Sequence, residues 1–350
     1  MKTIKDIDVK DKIVLVRVDY NVPLKDGKVE SDLRIRASLP TINYLLEHGA
    51  KKIILISHLG RPEGKFAPEF SLSPVIDTLQ KLLPEQTIGF YPLPNSNESI
   101  SIPENVKIAL LENLRTDPGE EANSADFIKN IIDATGAEIF VQDGFAVVHR
   151  AHASTDAIKN FLPVYAGLLV QKEVENLSKA INNPEKPLLV IIGGAKVDDK
   201  QPLIDKFVDI ADQIVVSGKI AADGYQSNAK NIYVAEDFDE DSEGHKLDTG
   251  PVSTGKIAGF VTDAKTIILN GLLGKAEDPA YATASAIIAE LMGEKDDATT
   301  IVCGGDTAGF VENLIDEHKN LHYSLLSTGG GAALEFLLGK DLPGLTAILS

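Results

Sequence analysis

One cysteine, Cys303, stands among the 350 residues. A single thiol excludes an internal disulfide framework and fits a reducing compartment, with the cytoplasm the simplest location. No apolar run approaches the ~18 residues that a membrane-spanning helix needs. The start, Met1 to Asp6, is polar and lacks the apolar core of a signal peptide. Positive charge is scarce, with 34 Lys and Arg against 52 Asp and Glu, a formal net charge of −18. That balance argues against nucleic acid and anionic lipid as partners, since both want a basic surface. Arginine is absent beyond residue 150: the six are Arg17, Arg34, Arg36, Arg61, Arg115 and Arg150. The two halves of the chain therefore look chemically different, as if each held a different anion.

The chain is long for one hydrophobic core, so two domains are expected. Its 43% apolar and 25% charged residues are those of a soluble globular protein. In the first half, strand patterns at 12–18, 51–56, 87–91, 106–111 and 138–141 alternate with helical patterns at 31–47, 72–83 and 124–134. Pro40 should bend or break the first helix. A polar stretch, 95–105, separates two of the strands. In the second half strands are expected at 188–192, 213–216, 231–234, 266–269, 299–303 and 323–326, with helices at 202–210, 279–292, 307–318 and 330–338. Residues 236–243 read as a solvated acidic loop, and the apolar end, 343–350, should pack onto something. Such alternation predicts an α/β fold with parallel sheets wrapped by helices. The helix-length stretch 166–182 is the candidate connector between the halves, with an ordinary domain helix the alternative.

In an open parallel sheet, ligands bind beyond the carboxyl ends of the strands. In the first half those ends carry Asp19 and Asn21, His58 and Arg61, Arg115, and then Asp143 running on to His149, Arg150 and His152; Arg34 opens the first helix beside the same edge. Arginine suits bidentate recognition of carboxylate and phosphate. Asp143, His149, His152 and Asp156 are spaced too loosely for a metal site and have no carboxylate-rich cluster nearby.

In the second half the strand ends are glycine turns: Gly193 to Lys196, Ser217 to Lys219, Asn270 to Gly274, Cys303 to Thr307 and Ser327 to Ala332. Glycine lets phosphates or rings approach the backbone, and helix starts favour anions. Lys196 and Lys200 sit four residues apart where the first turn becomes a helix. Asp306 is the one acid amid these turns, and a magnesium–nucleotide complex needs one or two carboxylates plus phosphate oxygens. Gly250 to Lys256 nearly matches a phosphate-binding Walker loop, but Ile257 replaces the required Ser or Thr and no apolar strand precedes it. Cys303, at a strand end, reads as a small buried residue rather than a nucleophile. An arginine-rich anion site and a glycine–lysine site with a lone Asp suit phosphoryl transfer, whose transition state needs charge stabilisation and alignment above all.

The chain resembles phosphoglycerate kinase nearly end to end. The resemblance is carried by Arg17 to Pro23, Ser57 to Pro62, Leu110 to Arg115, Pro118 to Glu121, His149 to Ser154, Gly193 to Lys196 with Asp199 and Lys200, Gly304 to Thr307, and Ser327 to Gly331. It implies reversible transfer between 1,3-bisphosphoglycerate and ADP, giving 3-phosphoglycerate and ATP in glycolysis, by a monomer of two Rossmann-like domains that close by a hinge. It implies domains at 1–165, completed by 340–350, and at 183–339, joined by the connector helix 166–182. By motif match, Asp19, Asn21, Arg34, His58, Arg61, Arg115 and Arg150 hold the phosphoglycerate. Arg34, Lys196, Lys200, Gly329 and Gly330 serve the transferring group. Gly194, Lys196, Lys200, Gly218, Asn270, Glu277, Gly305, Asp306 and Thr307 hold the nucleotide, with Glu277 on the ribose and Asp306 on Mg2+. The chain departs from the family in being shorter, mainly between Ser217 and Pro251. Ser217 to Ile220 replaces a glycine triplet with methionine, and Leu272 replaces a proline. Asp143 to Val148 departs from the usual Asp-Ala-Phe-Gly-Thr-Ala. These departures leave two other readings open: a non-catalytic paralogue that binds a phosphorylated metabolite, or a kinase of altered nucleotide preference.

Overall fold

The structure, a computed structural model, describes residues 1–94, 98–318 and 320–350. Residues 95–97 of the expected polar stretch lie outside the described residues. The chain forms two compact units, Met1–Lys172 with Asp341–Ser350, and Glu173–Lys340. The boundary falls inside the helix Leu168–Asn182.

The strands of the first unit are β1 (Ile13–Arg17), β2 (Leu24–Lys25), β3 (Lys28–Val29), β4 (Lys52–Ile56), β5 (Ile88–Tyr91), β6 (Ile108–Leu111), β7 (Ile139–Gln142) and β8 (Val164–Ala166). Six of them form one parallel sheet in the order β5-β6-β4-β1-β7-β8. β2 and β3 make a small separate hairpin. The second unit holds β9 (Leu188–Ile192), β10 (Gln213–Val216), β11 (Ile232–Val234), β12 (Phe238–Glu240), β13 (Lys246–Thr249), β14 (Thr266–Asn270), β15 (Thr299–Cys303) and β16 (Leu325–Leu326). Its parallel sheet runs β11-β10-β9-β14-β15-β16, the doubly wound Rossmann order. Runs such as Leu188 to Ile192 and Ile53 to Ile56 are buried throughout, because helices cover both faces of a parallel sheet.

Three sequence expectations need correction. Helix Leu33–Glu47 does not break at Pro40. The proline removes one amide from the ladder, but it lies on the exposed side, where water can serve the freed Arg36 carbonyl, while Ile35, Ile42 and Leu45 anchor the opposite face in the core. The acidic stretch 236–243 is not simply a solvated loop, since β12 pairs antiparallel with β13. Two of its acids are engaged: Asp237 accepts the Val252 and Ser253 amides at 2.9 and 2.7 Å and so caps the helix Pro251–Asp263, and Asp241 accepts the Glu243 and His245 amides, both at 2.9 Å, to close the turn. The helix expected at 202–210 begins five residues earlier, as Val197–Phe207. The near-Walker stretch is the start of the helix Pro251–Asp263, with Gly255 and Lys256 inside it.

The chain end packs into the first unit. Leu342, Leu345 and Ile348 are buried, the Lys2 amide donates to the Ile348 carbonyl at 2.8 Å, and the Gly344 amide donates to Val148 at 2.9 Å. At the end of β7, Asp143 Oδ1 accepts the Leu169 amide at 3.0 Å and holds the first turn of helix Leu168–Asn182. Its Oδ2 has no partner among the described residues. Burial pushes this carboxyl up to about 7, against the opposing pull of the Thr41 hydroxyl and the Leu169 and Val170 amides.

Two stability predictions come from these contacts. Ile348→Ala should cost about 2–4 kcal/mol in urea unfolding, the usual loss for a truncated core aliphatic; a loss below about 0.5 kcal/mol would show that the chain end is not docked. A raised carboxyl pKa means that the folded chain holds this proton more tightly than the unfolded chain. Stability from Asp143 is therefore full below about pH 4 and is lost as pH rises through about 7. The stability of Asp143→Asn relative to the parent should grow by on the order of 1–3 kcal/mol between about pH 4.5 and 7.5. A difference independent of pH would contradict the assignment.

Candidate active site

Each unit gathers its chemistry at the carboxyl edge of its sheet. In the first unit, Ser57 at the end of β4 ties the neighbouring strand ends together: its hydroxyl accepts the Tyr20 amide at 2.8 Å and donates to the Val18 carbonyl at 2.9 Å. Asp19 pairs with the Arg34 guanidinium, and Asn21 Oδ1 accepts the Gly60 amide at 2.9 Å. Arg34 is thereby held over the edge with its side chain about a quarter exposed (26%).

Beneath this layer Arg17 is fully buried. Its Nε donates to Ser154 Oγ at 3.0 Å, and Ser154 in turn donates to Glu120 Oε1 at 2.6 Å. Another of its nitrogens lies 3.1 Å from His58 Nδ1. Arginine can only donate, so His58 accepts at Nδ1 and, when neutral, carries its proton on Nε2. Burial, and then the charges of Arg17, Arg115, Arg150 and Arg34, push His58 well below its usual range. His152, 3.9 Å from Glu120, is pushed down to about 4 by burial and then by Arg115, Arg150 and Arg17. Both imidazoles are neutral at pH 7, so the positive charge of the site resides on guanidinium groups.

Arg115 is buried, donates to the Gly60 carbonyl at 2.8 Å and lies 3.1 Å from Glu121. Its second terminal nitrogen has no partner among the described residues. Burial, followed by Arg150, lowers its pKa to about 10. The mutual electrostatic influence of Arg17, Arg34, Arg115, Arg150 and His58 shows that they share one locality. Arg61 stays exposed on the loop after β4 and makes no ion pair among the described residues. Arg36 turns away and pairs with Asp32 along its own helix. The Arg17–Ser154–Glu120 network was missed as a unit by sequence reasoning; its only signal was that these residues fall inside the motifs.

The second unit has a cavity of about 490 Å3 at its carboxyl edge. Its floor lies where strand order reverses between β9 and β14. The turns after these strands are pressed together, with the Gly193 amide donating to Asn270 at 3.1 Å and the Gly194 amide to Leu272 at 2.9 Å. A Cβ on Gly193 would lie 2.2 Å from the Leu272 oxygen, and one on Gly271 would lie 2.4 Å from the Gly193 oxygen. Only glycine fits either position.

Lys196 immediately precedes the helix Val197–Phe207, and Lys200 lies in its first turn. Lys200 donates to Asn270 Oδ1, and burial lowers its pKa. The helix Gly305–Glu317 begins directly after β15, with Asp306 exposed and Thr307 buried in its first turn. The helix Gly330–Leu337 starts beside it, since a Cβ on Gly330 would lie 3.9 Å from the Gly305 amide. Two helix starts and two lysines make this the anion end of the cavity.

Gly194, Lys196, Lys200, Glu277, Gly305, Asp306 and Thr307 line the cavity. Asn270 acts from behind by holding Lys200, and Gly218 packs against the Leu272 oxygen; neither they nor Gly329 and Gly330 are among the lining residues. Sequence reasoning placed Lys219 in a strand-end turn without giving it a role and missed Lys246, Leu247 and Lys275 in the wall. Lys219 and Lys275 follow predicted strands, a usable signal, whereas Lys246 and Leu247 reach the site through the β12–β13 hairpin, which was not foreseen. Cys303 is buried at the end of β15, and burial pushes its thiol up.

The profile of the family described as phosphoglycerate kinase matches residues 4–232 and 222–340. The two segments meet inside the 217–251 stretch. A phosphoglycerate kinase of Moorella thermoacetica is 39% identical over 394 aligned residues, covering 99% of this chain and 98% of the relative. The alignment is longer than this chain, so the relative carries additional segments. The solved phosphoglycerate kinase of Coxiella burnetii has a TM-score of 0.80 at 32% identity, covering 99% of this chain and 98% of the other. That of Pyrococcus horikoshii OT3 has a TM-score of 0.86 at 25% identity, covering 100% and 98%. These relatives give no support to a non-catalytic paralogue or to one of altered nucleotide preference. Profile, relatives and fold agree that this chain belongs to the phosphoglycerate kinase family.

Proposed function

We propose that the two half-sites serve one reaction, the reversible transfer of a phosphoryl group between 1,3-bisphosphoglycerate and ADP, giving 3-phosphoglycerate and ATP in glycolysis. The observation that carries the assignment is the cluster of Arg17, Arg34, Arg115 and Arg150 in one unit, with the Arg115 terminal nitrogen buried and unpartnered. Such a cluster suits a small, multiply anionic metabolite. Asp19, Asn21, Arg34, His58, Arg61, Arg115 and Arg150 hold the phosphoglycerate, and neutral His58 offers a donor at Nε2. In the direction of ATP synthesis a terminal oxygen of ADP attacks the acyl phosphate, the new P–O bond forms, and the bond to the acyl oxygen breaks. The carboxylate of 3-phosphoglycerate leaves with the electron pair. No proton needs to move, which agrees with a site built of guanidiniums and ammoniums rather than titrating acids.

Lys196, Lys200 and the amides at the starts of the helices Gly305–Glu317 and Gly330–Leu337 take the nucleotide phosphates and the transferring group. Glu277 holds the ribose. No group of three or more His, Cys, Asp and Glu side chains forms a metal cage among the described residues. Exposed Asp306 at the anion end fits Mg2+ held by one carboxylate and phosphate oxygens, the usual way that this hard ion is bound. When bound, the ion neutralises phosphate charge. The reading includes a monomer in the cytoplasm, with the helix Leu168–Asn182 as connector and hinge closure excluding water. Among the described residues no helix is long and apolar enough to cross a membrane.

A coupled assay with 3-phosphoglycerate, Mg2+ and ATP tests the reading. In Arg34→Ala, kcat should fall by a factor on the order of 10³, as when a transition-state arginine is lost; an unchanged kcat removes Arg34 from the transfer. Asp306→Asn should raise the Mg2+ concentration needed for half-maximal rate by about tenfold or more at fixed ATP, because a bound Mg2+ has one or two protein carboxylates at most. An unshifted Mg2+ titration would take the ion off Asp306.

A further inference from the structure

Arg17 belongs to the arginine cluster but spends its donors inside the protein. It ends β1 beside Ile56 of β4 in the sheet register, so Ser57 and His58 lie just past it. It is 1% exposed, and each of its nitrogens is engaged. Nε donates to Ser154 Oγ at 3.0 Å. One terminal nitrogen donates to the Val18 carbonyl and to Ser57 Oγ at 3.3 Å, and the other to His58 Nδ1 at 3.1 Å. A planar fork gripped at every corner has a fixed direction.

Two buried groups from other segments hold that direction: Ser154, on the loop after β7, and Glu120, in the short helix Pro118–Glu121. Ser154 accepts from Arg17 and donates its own hydroxyl to Glu120 Oε1 at 2.6 Å, while the Ser154 amide donates to Glu120 Oε2 at 3.0 Å. Both carboxyl oxygens are thereby used. Burial pushes the Glu120 carboxyl up, and Arg17 is the chief influence opposing that push. Among the described residues, the hydrogen bonds of Ser154 and Glu120 reach His58 only through Arg17.

A donor fixed at Nδ1 leaves one form of the imidazole without conflict, in which Nδ1 accepts and the proton sits on Nε2. The opposite tautomer would set N–H against N–H in a buried place and leave both without an acceptor. The protonated ring would add a further cation beside Arg17, Arg34, Arg115 and Arg150. Nε2 itself has no hydrogen-bond partner among the described residues. We propose that Arg17, clamped by Ser154 and Glu120, is a positioning residue for phosphoglycerate: it fixes His58 as a neutral Nε2–H donor, so that this point of the site meets a ligand oxygen with a hydrogen bond and adds no charge. The proposal rests on the reading above, in which His58 holds the metabolite. Arg17 acts through the ring, because its own nitrogens are committed elsewhere.

Long-range proton–nitrogen NMR of the full chain reads the tautomer, with the His58 signal identified by its loss in His58→Gln. Titration calorimetry with 3-phosphoglycerate and kcat in the coupled assay read its use. In the parent without metabolite, at about pH 7, Nε2 should carry the proton and Nδ1 none. A proton on Nδ1, an even mixture or an imidazolium overturns the proposal. Arg17→Met keeps an unbranched chain in the buried space. There the tautomers should mix, and the Kd for 3-phosphoglycerate should rise by about threefold to tenfold, the worth of one ordinary hydrogen bond. kcat at saturation should change by less than about twofold, because the loss falls equally on ground and transition states. Ser154→Ala should move tautomer and Kd the same way by a smaller amount, and it decides the matter where Arg17→Met does not fold. Arg36→Met removes the same charge from a surface pair with Asp32 and should move neither. A tautomer unmoved in Arg17→Met or, failing that variant, in Ser154→Ala overturns the proposal, as does an equal rise in Kd in Arg36→Met. An Nε2–H His58 in a parent chain that does not bind 3-phosphoglycerate would overturn the phosphoglycerate reading and not the clamp on His58.

Discussion

The second unit depends on how closely the turns after β9 and β14 approach each other. At Gly193 and Gly271 the backbones meet with no room for a Cβ. That approach closes the floor of the cavity at the point where strand order reverses. It also brings Asn270 within reach of Lys200, so the lysine is aimed by a side chain from the neighbouring turn. Without the glycines the two strand ends would splay, and the lysine, the helix starts and Asp306 would lose their common focus.

The other half solves a different problem, that of holding several like charges close together. The lowered pKa of Arg115 and the suppressed ionisation of His58 and His152 record the repulsion and desolvation involved. The cost is offset unevenly. Arg17 is neutralised from below through Ser154 and Glu120, and Arg34 is steadied by Asp19. Arg115 is left with an unpartnered nitrogen. A buried donor without a protein partner favours a ligand that supplies the missing acceptor.

Much of this was legible in the chain alone. Runs such as 188–192 and 299–303 marked strands to the residue, since strands buried on both faces carry no charged residues. Residues just after those runs include most of the cavity lining. What escaped notice depended on contacts distant in sequence. Asp237 reads as solvated charge until its amide partners at Val252 and Ser253 are seen. Pro40 reads as a breaker until the buried face opposite it is seen. Arg17 looked like one more arginine, and only burial distinguishes it from Arg36, which is paired on the surface. Periodicity reports which face is buried; it does not report what a polar side chain finds there.

The confinement of arginine to one half has a physical explanation. A carboxylate or phosphate on a small metabolite offers paired oxygens, which a planar guanidinium grips at two points and thereby orients. On the proposed reading the first unit orients such a molecule with Arg34, Arg115 and Arg150, Arg34 itself standing in the first turn of a long helix. The second unit adds the helix starts at Gly305 and Gly330, which supply a directed anion field. There a compact ammonium such as Lys200, aimed by Asn270, adds charge without imposing a second geometry. On the proposed reading arginine fixes the metabolite, whereas lysine and the backbone accommodate the nucleotide; Arg17, buried on Ser154, and Arg36, paired with Asp32, stand outside that division of labour.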